Sequence, residues 1–438
     1  MQQIEHRRYG KGKVIKQRYG GFELHINFQD EFKRWVRRDE IKFLGRSQIL
    51  PKHKKHISKI PTDQFIARKT IEALRMGIVP YDSIENFTIG RDPEKKKIEN
   101  WLNKNSKGTL FLQGEYGSGK SHLLEYIHAT ALKDEWATAF VEIGYEENPF
   151  HKPFQVYQQI ISSFLCVING KKLGFRDFIK EIVHSNNSLK LDSHKFFSVL
   201  FRELEKSELN SDEQKEEQIW EWIEGDYNWH KPSLYRMGTA ANIYCNIING
   251  ISWALHHIFG LKGLLILFDE AEYINVVDYK YQIEKGLDFM NGLIGLSNNN
   301  KHLLKEKIMY PLKKGAKTGL TYCGYPRNDP LRFSWQFPSQ LKTMFAITPV
   351  DSDKNPIKLQ KSEIVDLQML KDDDLLMITF NVVQFYKNAY KIDFQDDLIG
   401  ILYDKLHHYK TRLFIKYLIE SLDIIRFHPE KSLDDILG

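Results

Sequence analysis

The sequence predicts an α/β fold: a parallel sheet with helices on both faces, preceded by a small all-β unit and followed by an all-helical module. Three observations carry this. The runs "TLFLQ" (109–113) and "GLLILF" (263–268) are short and mainly apolar, the pattern of strands buried on both faces, as in parallel sheets. Residues 9–44 instead show brief apolar alternation between glycine turns, and the tail from about residue 356 shows only helical periodicity. With 438 residues, 42% of them hydrophobic, the chain can fill more than one core.

Taken in order, residues 1–50 form the all-β unit. Val14 and Ile15 mark one strand, Phe22, Leu24, Ile26 and Phe28 a second of period two, and Trp35 and Val36 a third, with Gly10, Gly12, Gly20 and Gly21 at the turns. The pattern resembles the SH3-like or Tudor-like barrels appended to some DNA helicases and transcription factors. Residues 51–63, polar and basic, read as a linker. From residue 64 the core domain runs to about 355. It opens with a helix carrying Phe65, Ile66, Ile71, Leu74 and Met76 on one side, then "FTIGRDPEKKKIENWL", a strand turning into a helix near Asp92. "ATAFVEI" (137–143) is a further buried strand, residues 152–260 are a mainly helical insertion, and "EKSELNSDEQKEEQ" (205–218) reads as an exposed acidic loop. Residues 356–438 form the helical lid module, clearest in "DLLMITFNVVQFYKNAY" and "RLFIKYLIESLDIIRF".

Charge and cysteine usage narrow the function classes. Residues 1–59 hold sixteen Lys or Arg against six Asp or Glu, a net of +10 in a chain of net +6, so the remainder sums to −4. A basic front of this kind points to a polyanionic partner. Cys166, Cys245 and Cys323 lie far apart with no C-x-x-C, which argues against a disulfide framework or zinc site and for a reducing cytoplasm. The start lacks the apolar run of a signal peptide and no stretch is long enough for a bilayer, so no membrane association is expected.

The chemistry is carried first by "GEYGSGKS", comprising Gly114, Glu115, Tyr116, Gly117, Ser118, Gly119, Lys120 and Ser121. It fits G-x-x-x-x-G-K-[ST] and lies between an apolar strand and a helical run that begins with His122. Glycines let backbone N–H groups close around phosphates, Lys120 reaches the terminal phosphate oxygens, and the Ser121 hydroxyl is a Mg²⁺ ligand. The second motif is "GLLILFDEAE". A buried strand ending in acids delivers carboxylates to the sheet's carboxyl edge, where Asp269 would hold Mg²⁺ and Glu270 would polarise the attacking water. Adjacent acids favour hydrolysis over transfer to a metabolite. "NKNS" at Asn103 lacks the Asp of a guanine motif, so the nucleotide is read as ATP. Further helicase motifs to accompany "DEAE" are absent.

Other residues complete an AAA+-like reading. Thr348, ending the strand "LKTMFAITPV", is a candidate sensor of the γ-phosphate, with an ordinary strand-end Thr as the alternative. Arg412, at the start of a tail helix, is a candidate second sensor or a solvent-facing Arg. Arg327 and Arg332 are candidate fingers for a neighbouring subunit in a homo-oligomer, or loop surface charge.

The phrases "RKTIEALRMGIVP", "FTIGRDPE", "GEYGSGKSHLL", "ENPFHKPFQVYQQII", "GLKGLLILFDEAE" and "KTRLFIKYLIESLDIIR" together resemble the bacteriophage-exclusion (BREX) ATP-binding proteins of the BrxC and BrxD type, BrxD being closer in size. The resemblance implies an AAA+- or STAND-like P-loop ATPase of a prokaryotic anti-phage system, using ATP and Mg²⁺ and working with effector subunits such as a helicase, nuclease or methyltransferase. It also implies that the G-R-x-x-E element, here Gly90, Arg91 and Glu94, lies by the adenine. The basic front is a departure from the minimal family pattern. Its candidate DNA contacts are Lys11, Lys13, Lys16, Arg18, Lys33, Arg34, Arg37 and Arg38, with Tyr19, Phe22 and Trp35 either stacking platforms or barrel core. Three functions remain open on this reading: a DNA-engaged ATPase that loads or licenses an effector, a nucleotide-switched scaffold that recruits proteins, and a translocating motor using the Lys-rich 301–317 segment.

Overall fold

The computed structural model describes residues 3–6, 9–18, 23–29, 33–37, 41–43, 62–104, 107–185, 187–225, 241–277, 279–305, 331–349, 364–394 and 398–431. The N-terminal strands are β1 (Gln3–His6), β2 (Gly10–Arg18), β3 (Glu23–Phe28), β4 (Lys33–Arg37) and β5 (Ile41–Phe43). Then come α1 (Thr62–Arg75), α2 (Ile84–Phe87), α3 (Asp92–Asn103), β6 (Thr109–Gln113), α4 (Lys120–Lys133), β7 (Trp136–Glu142) and α5 (Pro153–Ser163). A hairpin, β8 (Cys166–Ile168) and β9 (Lys171–Leu173), precedes α6 (Phe175–His184), α7 (Phe197–Leu209), α8 (Glu213–Ile223) and α9 (Ala241–Phe259). The chain continues through β10 (Gly263–Asp269), α10 (Lys280–Ser297), α11 (Lys301–Lys305), β11 (Leu341–Ile347), β12 (Ile364–Asp366), α12 (Asp372–Tyr390), α13 (Leu398–Leu406) and α14 (Thr411–Phe427). It divides into two compact units: Met1–Asp92, Glu115–Tyr126 and Gln368–Gly438 make the first, Pro93–Gly114 and Ile127–Leu367 the second.

The second unit holds a five-stranded, wholly parallel sheet of order β12-β6-β11-β10-β7. Every residue of β10 and β11 is buried, which explains why β10 reads as an unbroken apolar run up to Asp269. Phe111, Phe268 and Phe345 from three adjacent strands stack through this core, with Phe268 and Phe345 4.8 Å apart between ring centres. One strand position breaks the apolar pattern. The Lys342 ammonium donates at 2.8 Å to the carbonyls of both Trp101 and Lys104, so a buried cation closes the C-terminal end of α3, where the helix dipole favours it. Burial alone pushes its pKa down to about 8.

The insertion after β7 is helical as expected, but its acidic segment is not a loop. α7 and α8 run through it with a break only at residues 210–212, and Asp212 caps α8 by accepting the Lys215 N–H at 3.0 Å. Leu204, Ile219 and Trp220 are buried at helical spacing, and that stripe outweighs the charge between them. The expected strand before α3 does not form either: α2 is followed by an irregular Thr88–Arg91 stretch in which Gly90 has φ +69°.

In the first unit the N-terminal strands make an antiparallel sheet of order β4-β3-β2-β1-β5, with a register shift between Val14 and Lys16. β1 and β5 were not foreseen. Ile4, Ile26, Phe28 and Val36 are its small core. A separate core joins α1 to α12, α13 and α14 through Ile71, Leu74, Val382, Tyr386, Phe414 and Leu418. α1 therefore packs with the C-terminal helices, although by sequence it opens the core domain. Its apolar stripe is Ala67, Ile71 and Leu74, while Phe65 and Met76 face solvent. Arg75, bonded to Asp423 at 3.0 Å, fixes the same pairing at the far end.

Candidate nucleotide-binding site

The phosphate loop starts from the carboxyl end of β6. Its first glycine is fixed there: the Gly114 N–H donates to the Ile347 carbonyl, the last residue of β11, at 3.2 Å. β10 lies on the other side of β11, and Asp269 is its last residue. The opening of the loop, Thr348 just past β11, and the Asp269–Glu270 pair thus share one edge of the parallel sheet. That edge is where ligands bind in open α/β sheets.

Asp269 is buried, and its Oδ1 accepts the N–H of Glu270 at 2.9 Å. Glu270 has φ 52°, a left-handed conformation that costs a non-glycine residue roughly 1–2 kcal/mol. Strain of this kind held at a sheet's carboxyl edge marks a position set by chemistry. Thr348, the first residue past β11, is half-buried.

In the first unit the loop continues through Gly117 and Gly119, at φ +87° and +94°, conformations that favour glycine and explain the spacing of the motif. The Ser118 N–H donates to the Glu115 carbonyl at 3.1 Å, and the Leu123 N–H to Gly119 at 2.9 Å, which starts α4 at Lys120. Lys120 is buried with Nζ 3.4 Å from the Glu115 carbonyl, at a helix N-terminus whose first-turn amides lack intrahelical partners. Ser121 is exposed, and Tyr116 is 72% exposed. His122 does not extend the cradle: its Nε2 lies 2.9 Å from Thr88 Oγ1, whose own proton goes to the Ile84 carbonyl at 2.7 Å.

Arg91, expected beside the adenine, is buried and grips backbone. It donates to the Ser118 carbonyl and to the Gln368 carbonyl, each at 2.6 Å, tying the phosphate loop to the start of the C-terminal segment. Gly90 beside it is in close contact with Asp374 of α12: a Cβ there would lie 2.3 Å from the carboxyl carbon. Arg412 stands elsewhere in this unit, its Nε 3.0 Å from where a Cβ on Gly77 would be. The residue of that segment that approaches the phosphate loop is Lys410, unremarked in the sequence. Its Cδ is 3.9 Å from the corresponding point on Gly117 and its ammonium 5.9 Å from the Tyr116 ring. Only an exposed aromatic in the loop hinted at a partner there.

In the second unit Asp269 offers a buried carboxylate with one oxygen committed to a backbone N–H, a hard oxygen ligand of the kind Mg²⁺ takes together with phosphate and water. Among the described residues no cluster of three or more His, Cys, Asp or Glu could hold a metal by itself.

Of the finger candidates, Arg327 lies outside the described residues. Arg332 is half-buried, and its carbonyl accepts Asn246 Nδ2 at 3.2 Å. In the N-terminal sheet Lys13, Asn27 and Lys33 are register neighbours across three strands, all exposed, with Lys11 and Lys16 exposed on β2. Arg34 differs. It pairs in register with core Ile26, and its guanidinium lies 4.6 Å from the Tyr9 ring centre and 5.8 Å from that of Phe28. Trp35 stacks on His25 at 4.8 Å. Arg18 and Arg37 end their strands; Arg38, Tyr19 and Phe22 lie outside the described residues.

Fold and site together define a P-loop protein with its acidic strand one removed from the phosphate-loop strand. Residues 63–185 match the family model described as BREX system ATP-binding protein BrxC/D, a span that includes α1, the G-R-x-x-E element and the whole phosphate loop. No curated protein matches the chain. Among solved structures, that of AMPPCP-bound DnaA from Aquifex aeolicus is similar, at 11% identity over 79% of this chain and 68% of that one, with a TM-score of 0.33, too distant to inform the site. No helix among the described residues is long and apolar enough to cross a membrane.

Proposed function

We propose that this protein is a cytoplasmic, AAA+-like ATPase of a prokaryotic anti-phage system, that it binds ATP with Mg²⁺, and that it engages DNA through its basic N-terminal sheet, read as an SH3- or Tudor-like barrel. The observation that carries the reading is the shared sheet edge: the anchored phosphate loop at β6 and the strained Asp269–Glu270 pair at β10, two strands apart. Lys120 neutralises the phosphates, Ser121 and Asp269 hold the ion, and Glu270 orients the water. Thr348 reads the γ-phosphate from β11.

The cycle drives assembly of a homo-oligomer that loads or licenses an effector subunit, a helicase, nuclease or methyltransferase. Arg327 or Arg332 completes a neighbour's site. The exposed Lys13–Asn27–Lys33 row supports the DNA reading, because cations spaced across adjacent strands match a phosphate backbone. ATP hydrolysis at low salt, measured with and without duplex DNA, tests it. Stimulation of several-fold that disappears in Lys13→Glu/Lys33→Glu supports the loader. Equal hydrolysis in both conditions assigns the protein to nucleotide-switched scaffolds instead.

A further inference from the structure

The second unit exposes a pair of aromatic rings that the nucleotide site does not use. Tyr279 and Tyr281, at the start of α10, are 59% and 48% exposed. Their rings lie 5.6 Å apart at 23° to one another, a stacked arrangement at the surface. Val276, 54% exposed, widens the apolar patch. The residues follow directly from the Asp269–Glu270 strand through a 3-10 turn at Ala271–Asn275, so they stand next to the sheet's carboxyl edge.

A cation lies over one ring of the pair: the Lys285 ammonium sits 5.0 Å from the centre of the Tyr281 ring. The loop after β7 is brought alongside by Gly286, where a Cβ would lie 3.2 Å from Phe150 Cβ and 3.4 Å from the His151 N. The pKa of His151 is lowered to about 4, by burial first and then by the charges of Lys152 and Lys285. Lys280 is exposed between the tyrosines, and Glu284 is the exposed acid of the same turn.

We propose that this surface binds single-stranded nucleic acid, with Tyr279 and Tyr281 stacking on bases and Lys280 and Lys285 meeting phosphates. Bases offer a flat π face with an anion one sugar away. A ring pair with a cation over one ring and an exposed lysine between the two tyrosines in sequence matches that repeat, whereas a polypeptide calls for the apolar face without those cations. The proposal rests on the DNA-engaged reading but assigns a different face and a different form of nucleic acid from the N-terminal sheet.

Fluorescence anisotropy on the full chain tests it, with a labelled oligo(dT) of about fifteen nucleotides and a labelled duplex as probes. Tyr281→Ala/Lys285→Ala is expected to weaken oligo(dT) binding about tenfold, the worth of one lost stack. Duplex affinity and thermal midpoint should stay at parental values, and Tyr281→Phe, which keeps the ring, should bind oligo(dT) like the parent. Lys13→Glu/Lys33→Glu should weaken duplex binding and spare oligo(dT). Unchanged oligo(dT) affinity in the alanine pair overturns the proposal, as does a parent that ignores oligo(dT) while still binding duplex. Equal competition by unfolded casein would assign the surface to polypeptide and also overturn it. Loss of duplex binding alone, or its absence in the parent, bears on the N-terminal sheet and not on this face.

Discussion

Lys120 and Glu270 are held by opposite devices, the one by a helix N-terminus in a loop with two left-handed glycines, the other by a left-handed backbone of its own. Their substitutions should separate accordingly. Lys120→Ala removes the phosphate cation and is expected to abolish binding of a fluorescent ATP analogue. Glu270→Gln keeps the binding and lowers hydrolysis by at least about a hundredfold, the usual worth of a positioned base. If both variants hydrolyse ATP like the parent, the site lies elsewhere. Arg91 makes a third case. Arg91→Met strips two charge-assisted bonds, one of them from the buried Ser118 carbonyl, so stability should fall by about 3 kcal/mol in a urea titration, with a weakened ATP complex. The motif letters alone pointed to Lys120, Asp269 and Glu270, because each of the two motifs is contiguous in the chain. Arg91's grip on Ser118 and Gln368 spans up to 277 residues of sequence, and no local pattern encodes it.

At the scale of elements, a histidine just before α7 holds the start of that helix. His194 is fully buried, with Nε2 3.1 Å from the Asn246 carbonyl and Nδ1 accepting the N–H groups of Phe196 and Phe197 at 3.2 Å. The ring must be neutral to accept at Nδ1, and burial lowers its pKa from 6.5 to about 4. Between those values the unfolded chain binds a proton that the folded chain refuses, so the stability present above pH 6.5 is lost as pH falls toward 4. The loss is on the order of 3 kcal/mol. Thermal midpoints from pH 7.5 to 5 should fall accordingly, and His194→Gln should lower the midpoint at pH 7.5 while flattening the slope. α14 supplies a second test. Its N-cap, Lys410, approaches the phosphate loop, and Arg412 packs on Gly77. Lys410→Ala should therefore weaken ATP binding about tenfold, near the worth of one charge-assisted bond, and Arg412→Ala should change it less than twofold. The reverse order would restore Arg412 as the sensing residue. Helix α14 itself was plain from its periodicity; which of its basic residues meets the loop depends on the turn that precedes it.

For the whole molecule, the uneven charge is the property that sets behaviour in solution. If six cations of the N-terminal segment meet phosphates, the logarithm of duplex affinity should fall with the logarithm of salt at a slope of about −5. A slope near zero would leave the basic front as solvated surface. The sequence by itself determined the parallel-sheet strands, the phosphate loop, the acid pair and the basic front, because each is written in adjacent residues whose burial or backbone demands are local. It misread the acidic stretch between α7 and α8, where composition hid an apolar helical stripe. Only the tertiary structure decided that α1 joins the C-terminal helices, that Lys342 closes α3 and that Lys410 faces Gly117. It also decided that Lys285 stands over one ring of an exposed, stacked tyrosine pair. Those contacts join residues far apart in the chain, and they exist only once the intervening loops are closed and the apolar faces have chosen their partners.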